Sequence, residues 1–401
     1  MVALFHVSMI AKRILPYSFH FPQWILFLAF CSLSLAGLEV EEIAEIRYLT
    51  TPTIPFDWEV DITDTSEILD TLSGKVIYQV NSHDGIPLYF YQEVRDDVCF
   101  DKKCRPIDLK IYWNITGRYF GFGLEHGEFL SRREHKAFDN TDYLRLHTLL
   151  ADPMLPFGNI SFEQLVNINE QKDDLVDGVT GATSKNLSQY VVDGAAYTTY
   201  LLWTTIHGPT KEIVKLSTER QLNDLLLLKI LESTSSLDRI WALKKIRGSD
   251  KIEAPIEEKL IELIAGEDFF VSYTAINCIS SSHLQSDYLQ NGLFSVYARS
   301  KSNNIRKPII EKLYSAPVLN QELLLKSYEL LPKLNGNEVS HWLKLYSTQA
   351  IADELTCAAV VKILKNENRF IANKAFEFLD QLKEVDQETK QALRTFKTKS
   401  Q

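Results

Sequence analysis

The chain has 401 residues, 45% of them hydrophobic and 24% charged, which supports a packed core and leaves room for two domains. Its 53 acidic and 43 basic side chains give a formal net charge of −10, which speaks against nucleic acid or an anionic lipid surface as partner. Apart from Lys12-Arg13, it has no basic run of the kind that tracks a phosphate backbone.

Those two cations precede WILFLAFCSLSLAG, an apolar run that is short for a membrane span and ends in small residues. Ser34-Leu35-Ala36 fits a signal-peptidase site, and the acidic stretch 39–45 follows at once. Residues 1–36 therefore read as an export signal, with Met9 as an alternative start. Two alternatives stay open. One is an uncleaved anchor over 19–38, and the other is lipid attachment at Cys31, where Phe30 stands in the place of a small residue.

From 45 to 210 the pattern is mixed. KVIYQVNS, IPLYFYQEV, IDLKIYWNI and YFGFGLE carry the alternating or continuous aromatic and β-branched pattern of strands. They are punctuated by His83-Asp84-Gly85, a cysteine loop and Asn114-Ile115-Thr116-Gly117. Strands first and helices afterwards predict an α+β domain around an antiparallel sheet. In the loop VCFDKKCRP, Cys99 and Cys104 could close a small ring as a disulfide, with two unpaired thiols on a polar turn as the plainer alternative. No second ligand pair follows at zinc spacing. Cys278 and Cys357 sit in apolar helical surroundings and read as core. The triplets at Asn114, Asn159 and Asn186 match the glycosylation pattern at the level of chance.

DNTDYLRLHTLLADP reads as a helix, and NISFEQLVNI follows. Next comes Asp177-Gly178-Val179-Thr180-Gly181-Ala182-Thr183-Ser184. Gly181 supplies backbone freedom and Ala182 adds almost no bulk, so the Thr183 hydroxyl stands on a slim segment that another enzyme could grip. Thr183 and Ser184 are good N-cap residues for a helix predicted from there to Gly208-Pro209. A phosphate on Thr183 would then meet unpaired backbone N–H groups at the positive end of that helix. A turn with an ordinary helix cap is the plainer reading of the same residues.

The segment resembles the motif at which a flavin transferase attaches FMN, through its phosphate, to a threonine of an FMN-binding domain. That pattern is an Asp, a Gly or Ala, any residue, a Ser or Thr, then Gly-Ala-Thr. Asp177, Gly178, Thr180, Gly181, Ala182 and Thr183 meet it in register. The resemblance is to the domains in the C subunit of the sodium-translocating NADH:quinone reductase and in the G subunit of its Rnf relative. It implies a covalent FMN phosphoester on Thr183, flanked by Ser184, in an α+β domain over 45–210. The stretch before the motif is also similar to larger exported relatives that carry a C-x4-C loop.

From 218 to 385 the chain reads as helical: QLNDLLLLKILES, LDRIWALKKIRG, PIEEKLIELIAG, FFVSYTAINCIS, NIRKPIIEKLYS, QELLLKSYELLPKL, ADELTCAAVVKILK and NRFIANKAFEFLDQLK. The pairs recur about every forty residues, a pattern similar to HEAT-like repeats, with a non-repetitive bundle as the competitor. The tail 386–401 is polar and is expected to fray.

His135 and His147 could approach a flavin edge, although lone histidines more often serve structure. Tyr112, Trp113, Tyr119 and Phe120 could stack on an isoalloxazine ring or simply fill the core. No dinucleotide, P-loop, HExxH or nucleophile-elbow motif occurs. The expectation is an exported electron carrier with covalent FMN, matured by a flavin transferase and docking a membrane or cytochrome partner on its helical repeats. A self-sufficient flavin reductase fits less well. An interaction or regulatory scaffold, whose flavin domain senses redox state or stands empty, is the alternative from another class.

Overall fold

Six strands form one antiparallel sheet in the order β1-β6-β5-β4-β3-β2. They are β1 Ile46–Leu49, β2 Ile62–Leu69, β3 Val76–Ser82, β4 Pro87–Asp96, β5 Ile107–Asn114 and β6 Tyr119–Leu124. The computed structural model describes residues 45–70, 74–96, 106–132, 135–161 and 189–400. All of these lie within one compact unit, Ile43–Gln401.

The strands β3 to β6 are the four expected from periodicity. The edge strands β1 and β2 carry no such signal: β1 has only four residues, and β2 (ITDTSEIL) is mostly exposed. Alternation sorts the rest onto two faces. Phe90, Ile111, Trp113 and Phe122 join the main core, while Val80, Tyr89, Tyr112 and Phe120 form a second cluster on the opposite face.

Helices α1 (Asn140–Ala151) and α2 (Ala196–His207) cover the first face. Asp139 and Asp142 form a capping box on α1. The Trp113 indole N–H donates to the Ile206 carbonyl at 2.9 Å, tying β5 to α2. The helix expected to run to Gly208 starts at Ala196 among the described residues, later than the sequence pattern suggests. The chain is in turns before α2, Gly194 takes φ +72°, and Ala195 occupies the N-cap without a side-chain bond. Asp193-Gly194 breaks the apolar periodicity because glycine adopts the left-handed region cheaply.

Gly208 separates α2 from α3 (Pro209–Arg220), where Pro209 takes the first helical position. A Cβ on Gly208 would lie 2.4 Å from the Thr204 carbonyl oxygen. Gly117, at φ +78° in the β5–β6 turn, lets α3 approach, since a Cβ there would meet Lys215 Cγ at 2.8 Å.

Five helix hairpins follow: α4 (Asp224–Leu231) with α5 (Ser236–Ile246), α6 (Ala254–Ala265) with α7 (Phe269–Cys278), α8 (Asp287–Arg299) with α9 (Asn303–Leu313), α10 (Gln321–Leu330) with α11 (Gly336–Thr348), and α12 (Glu354–Ile363) with α13 (Arg369–Asp380). The odd-numbered helices pack on one another in succession, as do the even-numbered ones, making two layers. The starts of α5, α7, α9, α11 and α13 fall 33 or 34 residues apart, rather than the forty expected from sequence. Asn223, Asp268, Ser286, Asn320, Asn335, Asp353 and Asn368 each accept a first-turn N–H, so local chemistry starts most of these helices.

The tail is also corrected. Residues 387–400 form α14, with Phe396 stacked on Phe376 at 5.3 Å and Lys397 paired with Asp380 at 3.1 Å. Ala392, Leu393 and Phe396 share one helical face, and that face packs on the core offered by the preceding hairpins. Among the described residues no helix is long and apolar enough to cross a membrane.

A buried carboxylate joins the sheet to the hairpins. Asp238 on α5 accepts from Thr53 Oγ1 at 2.9 Å, Thr116 Oγ1 at 2.5 Å, Ser233 Oγ at 3.1 Å and Arg118 Nη2 at 2.7 Å. Four donors around one desolvated anion make this a fully satisfied polar joint.

Candidate functional site

The motif residues Asp177, Gly178, Thr180, Gly181, Ala182, Thr183 and Ser184 lie outside the described residues, as do Cys99, Cys104 and the segment 1–44. The described chain on either side of the motif is tied to the first helical layer. The Tyr200 hydroxyl of α2 donates to the Ile160 carbonyl at 3.0 Å, and the Arg145 guanidinium of α1 donates to the Gln189 carbonyl. The segment that carries Thr183 thus joins two points anchored by α1 and α2.

The opposite face of the sheet holds a concave site. Phe56 and Trp58, from the chain between β1 and β2, fold over the sheet, with Phe56 stacked on Tyr89 at 5.4 Å and Trp58 at 4.8 Å from the same ring. Trp58 helps enclose a pocket of about 220 Å³ whose walls also include Tyr89, Tyr91, Tyr112, Arg47 and Lys110. Arg47 lies 4.5 Å above the Trp58 ring, and Lys110 Nζ lies 5.5 Å from the Tyr91 ring. Each cation is also ion-paired, Arg47 with Glu45 and Lys110 with Glu125 at 2.5 Å, so carboxylates and ring faces together hold them at the rim. Burial raises the pKa of the Tyr89 and Tyr112 hydroxyls, so both stay neutral donors at ordinary pH.

The four aromatic candidates divide by strand parity. Tyr112 and Phe120 face this second cluster, and Tyr112 lines the pocket. Trp113 and Tyr119 point into the helical core, where Tyr119 meets His147. Arg47, Trp58, Tyr89, Tyr91 and Lys110 escaped sequence reasoning. Alternation along β4 and β5 would have placed Tyr89, Tyr91, Lys110 and Tyr112 on one face, but nothing local announces that Arg47 and Trp58 arrive there.

His147 is a core residue. Its Nδ1 lies 3.1 Å from the Tyr119 hydroxyl, and burial pushes its pKa down to about 4. His135 is exposed, at φ 60°, in the turn closed by the Ser131–Ala137 bridge. Cys278 and Cys357 are buried, and burial pushes the Cys278 thiol up to about 12, which makes it a poor nucleophile. No group of three or more His, Cys, Asp or Glu side chains among the described residues is arranged to hold a metal.

Comparison with models of known protein families found none that matches the chain, and comparison with curated proteins found no match.

Proposed function

We propose that this chain is an exported electron-transfer flavoprotein that carries FMN, linked through its phosphate, on Thr183. The single observation that carries the reading is the segment 177–184, where every defined position of the flavin-attachment pattern is met. The antiparallel sheet with its covering helices is in keeping with such a domain, and the stacked hairpins with a HEAT-like surface for a membrane or cytochrome partner. A covalent bond suits an exported chain, because a cofactor held only by equilibrium binding is lost where free flavin is scarce.

FMN, when bound, supplies the exchange of one or two electrons. The protein's own residues supply the tether and the electrostatics. In this reading Thr183 holds the phosphate and residues 177–184 are the signature read by the transferase. The pocket around Tyr89, Tyr91, Tyr112 and Trp58 suits a planar ring, and Arg47 and Lys110 stand at its rim, each paired with a carboxylate.

Co-expression with a flavin transferase tests the assignment. The protein should gain the mass of FMN less one water, retain it through denaturation, and carry it on the peptide containing Thr183. Thr183→Ala should abolish the adduct, Asp177→Ala should impair it, and Ser184→Ala should leave it in place. An adduct on Ser184, or a colourless wild-type protein beside an active transferase, would overturn the reading and favour the scaffold alternative.

A further inference from the structure

The odd-numbered helices repeat one position along a single edge of the hairpin array. Leu237 is the second residue of α5, Phe270 of α7, Asn304 of α9, Asn337 of α11 and Phe370 of α13. The two asparagines suit a position that meets water. Phe370 is partly covered, since a Cβ on Gly336 would lie 2.6 Å from its ring and Lys374 Nζ stands 5.8 Å from the ring centre. Leu237 and Phe270 are instead 64% and 72% exposed.

The first turns of α5 and α7 touch, because Ser236 Oγ donates to the Asp268 carboxylate and Arg239 pairs with it at 3.8 Å. On α7, Phe269 and Tyr273 are also exposed and stack at 5.9 Å, and Phe270 meets Phe269 edge-on at 5.7 Å. Three rings and a leucine thus gather at one corner, and grouped apolar exposure of this kind marks a contact surface. The charge around it has one sign. Exposed Glu232 and Glu267 stand in the turns that lead into α5 and α7, while the turns into α9 and α11 carry Lys301 and Lys333. Arg239, the cation of the α5 first turn, is committed to Asp268. Leu237 directly precedes Asp238, whose carboxylate binds Thr116 and Arg118, so the corner adjoins the junction with the sheet.

We infer that this corner docks a segment of a partner protein whose apolar face is bordered by lysine or arginine. The three rings and Leu237 supply the dehydrated centre of the contact. Glu232 and Glu267 supply a rim that pairs with the partner's cations and steers its approach. The inference narrows the partner in the proposed function to one edge and one chemistry, and it does not require the flavin on Thr183.

Fluorescence anisotropy on the full chain tests this, with a labelled amphipathic helix of leucine and lysine and its leucine–glutamate counterpart as probes. The lysine probe should bind saturably, at about 100 μM or tighter, and the glutamate probe at least about tenfold more weakly. Leu237→Ser and Phe270→Ser should each weaken the lysine probe about threefold to tenfold. Glu232→Lys combined with Glu267→Lys should weaken it about tenfold and lessen its dependence on salt. Leu355→Ser, at an exposed site on α12 at the opposite edge, should leave binding unchanged. Thr183→Ala should bind as wild type does, so this result is separate from the fate of the flavin adduct. Absence of saturable binding of the lysine probe would overturn the inference, as would equal binding of the two probes or an affinity unchanged in Leu237→Ser and Phe270→Ser. Tighter binding to neutral phosphatidylcholine vesicles, or self-association lost in Phe270→Ser, would also overturn it by assigning the corner to a lipid surface or to a second copy of the chain.

Discussion

His147 illustrates how burial, rather than residue type, decides a histidine's role. Around it stand Tyr48, Tyr119 and Phe122, with ring centroids 5.6 to 6.3 Å away and no opposing charge among them. The imidazole is thus held neutral, with a folded pKa of about 4, against an unfolded value near 6.5. Between those pH values the unfolded chain binds a proton that the folded chain refuses. Stability should therefore fall as pH drops through that window, by up to about 3 kcal/mol from this residue. His207, also lowered by burial, acts in the same direction. Denaturant unfolding at pH 7 and pH 5 should show this loss in the wild type, and His147→Gln should reduce it. An equal loss in both proteins would place the titrating group elsewhere.

Among elements, the β4–β5 hairpin has its two strands joined by the loop that contains Cys99 and Cys104. Asp96 faces Ile107 across the ladder at its end, and Arg95 pairs with Asp108 at 2.9 Å. Both strand ends are therefore already close. If the chain is exported as proposed, the pair should be oxidised, contributing about 2 kcal/mol for so short a ring. Alkylation of non-reduced protein should find both thiols blocked, and reduction should lower the melting temperature. Two freely alkylated thiols would refute the pairing.

At the scale of the whole molecule, the sheet and the hairpins behave as one body because their core is continuous and Asp238 binds across the junction. Its partners Thr53, Thr116 and Arg118 come from the sheet side, and Ser233 from the hairpins. Asp238→Ala leaves Arg118 half-buried and unpaired, so it should cost about 3–5 kcal/mol. It should also split a single thermal transition into two, as the halves lose their shared joint. Calorimetry checks both effects, and one unsplit transition within about 0.5 kcal/mol of wild type would show that apolar contacts alone hold the halves together.

The sequence by itself determined the order of the molecule. Four aromatic and β-branched runs became β3 to β6, and eight amphipathic segments became helices, because periodicity and capping residues act within a few residues of one another. It also carries the flavin-attachment pattern at 177–184 without help from the fold. Only the tertiary structure decided the rest. The strands β1 and β2 exist because neighbouring strands offer free edges, and α14 because earlier hairpins offer a surface to its three apolar positions. The same holds for the 33-residue stacking period, which depends on helix packing rather than on repeated residues. The joint at Asp238 and the pocket of Arg47, Trp58 and Lys110 unite residues distant in the chain. Long-range proximity of this kind leaves no local trace, since each residue's own neighbours in sequence satisfy ordinary helix and strand rules whether or not the distant partner arrives.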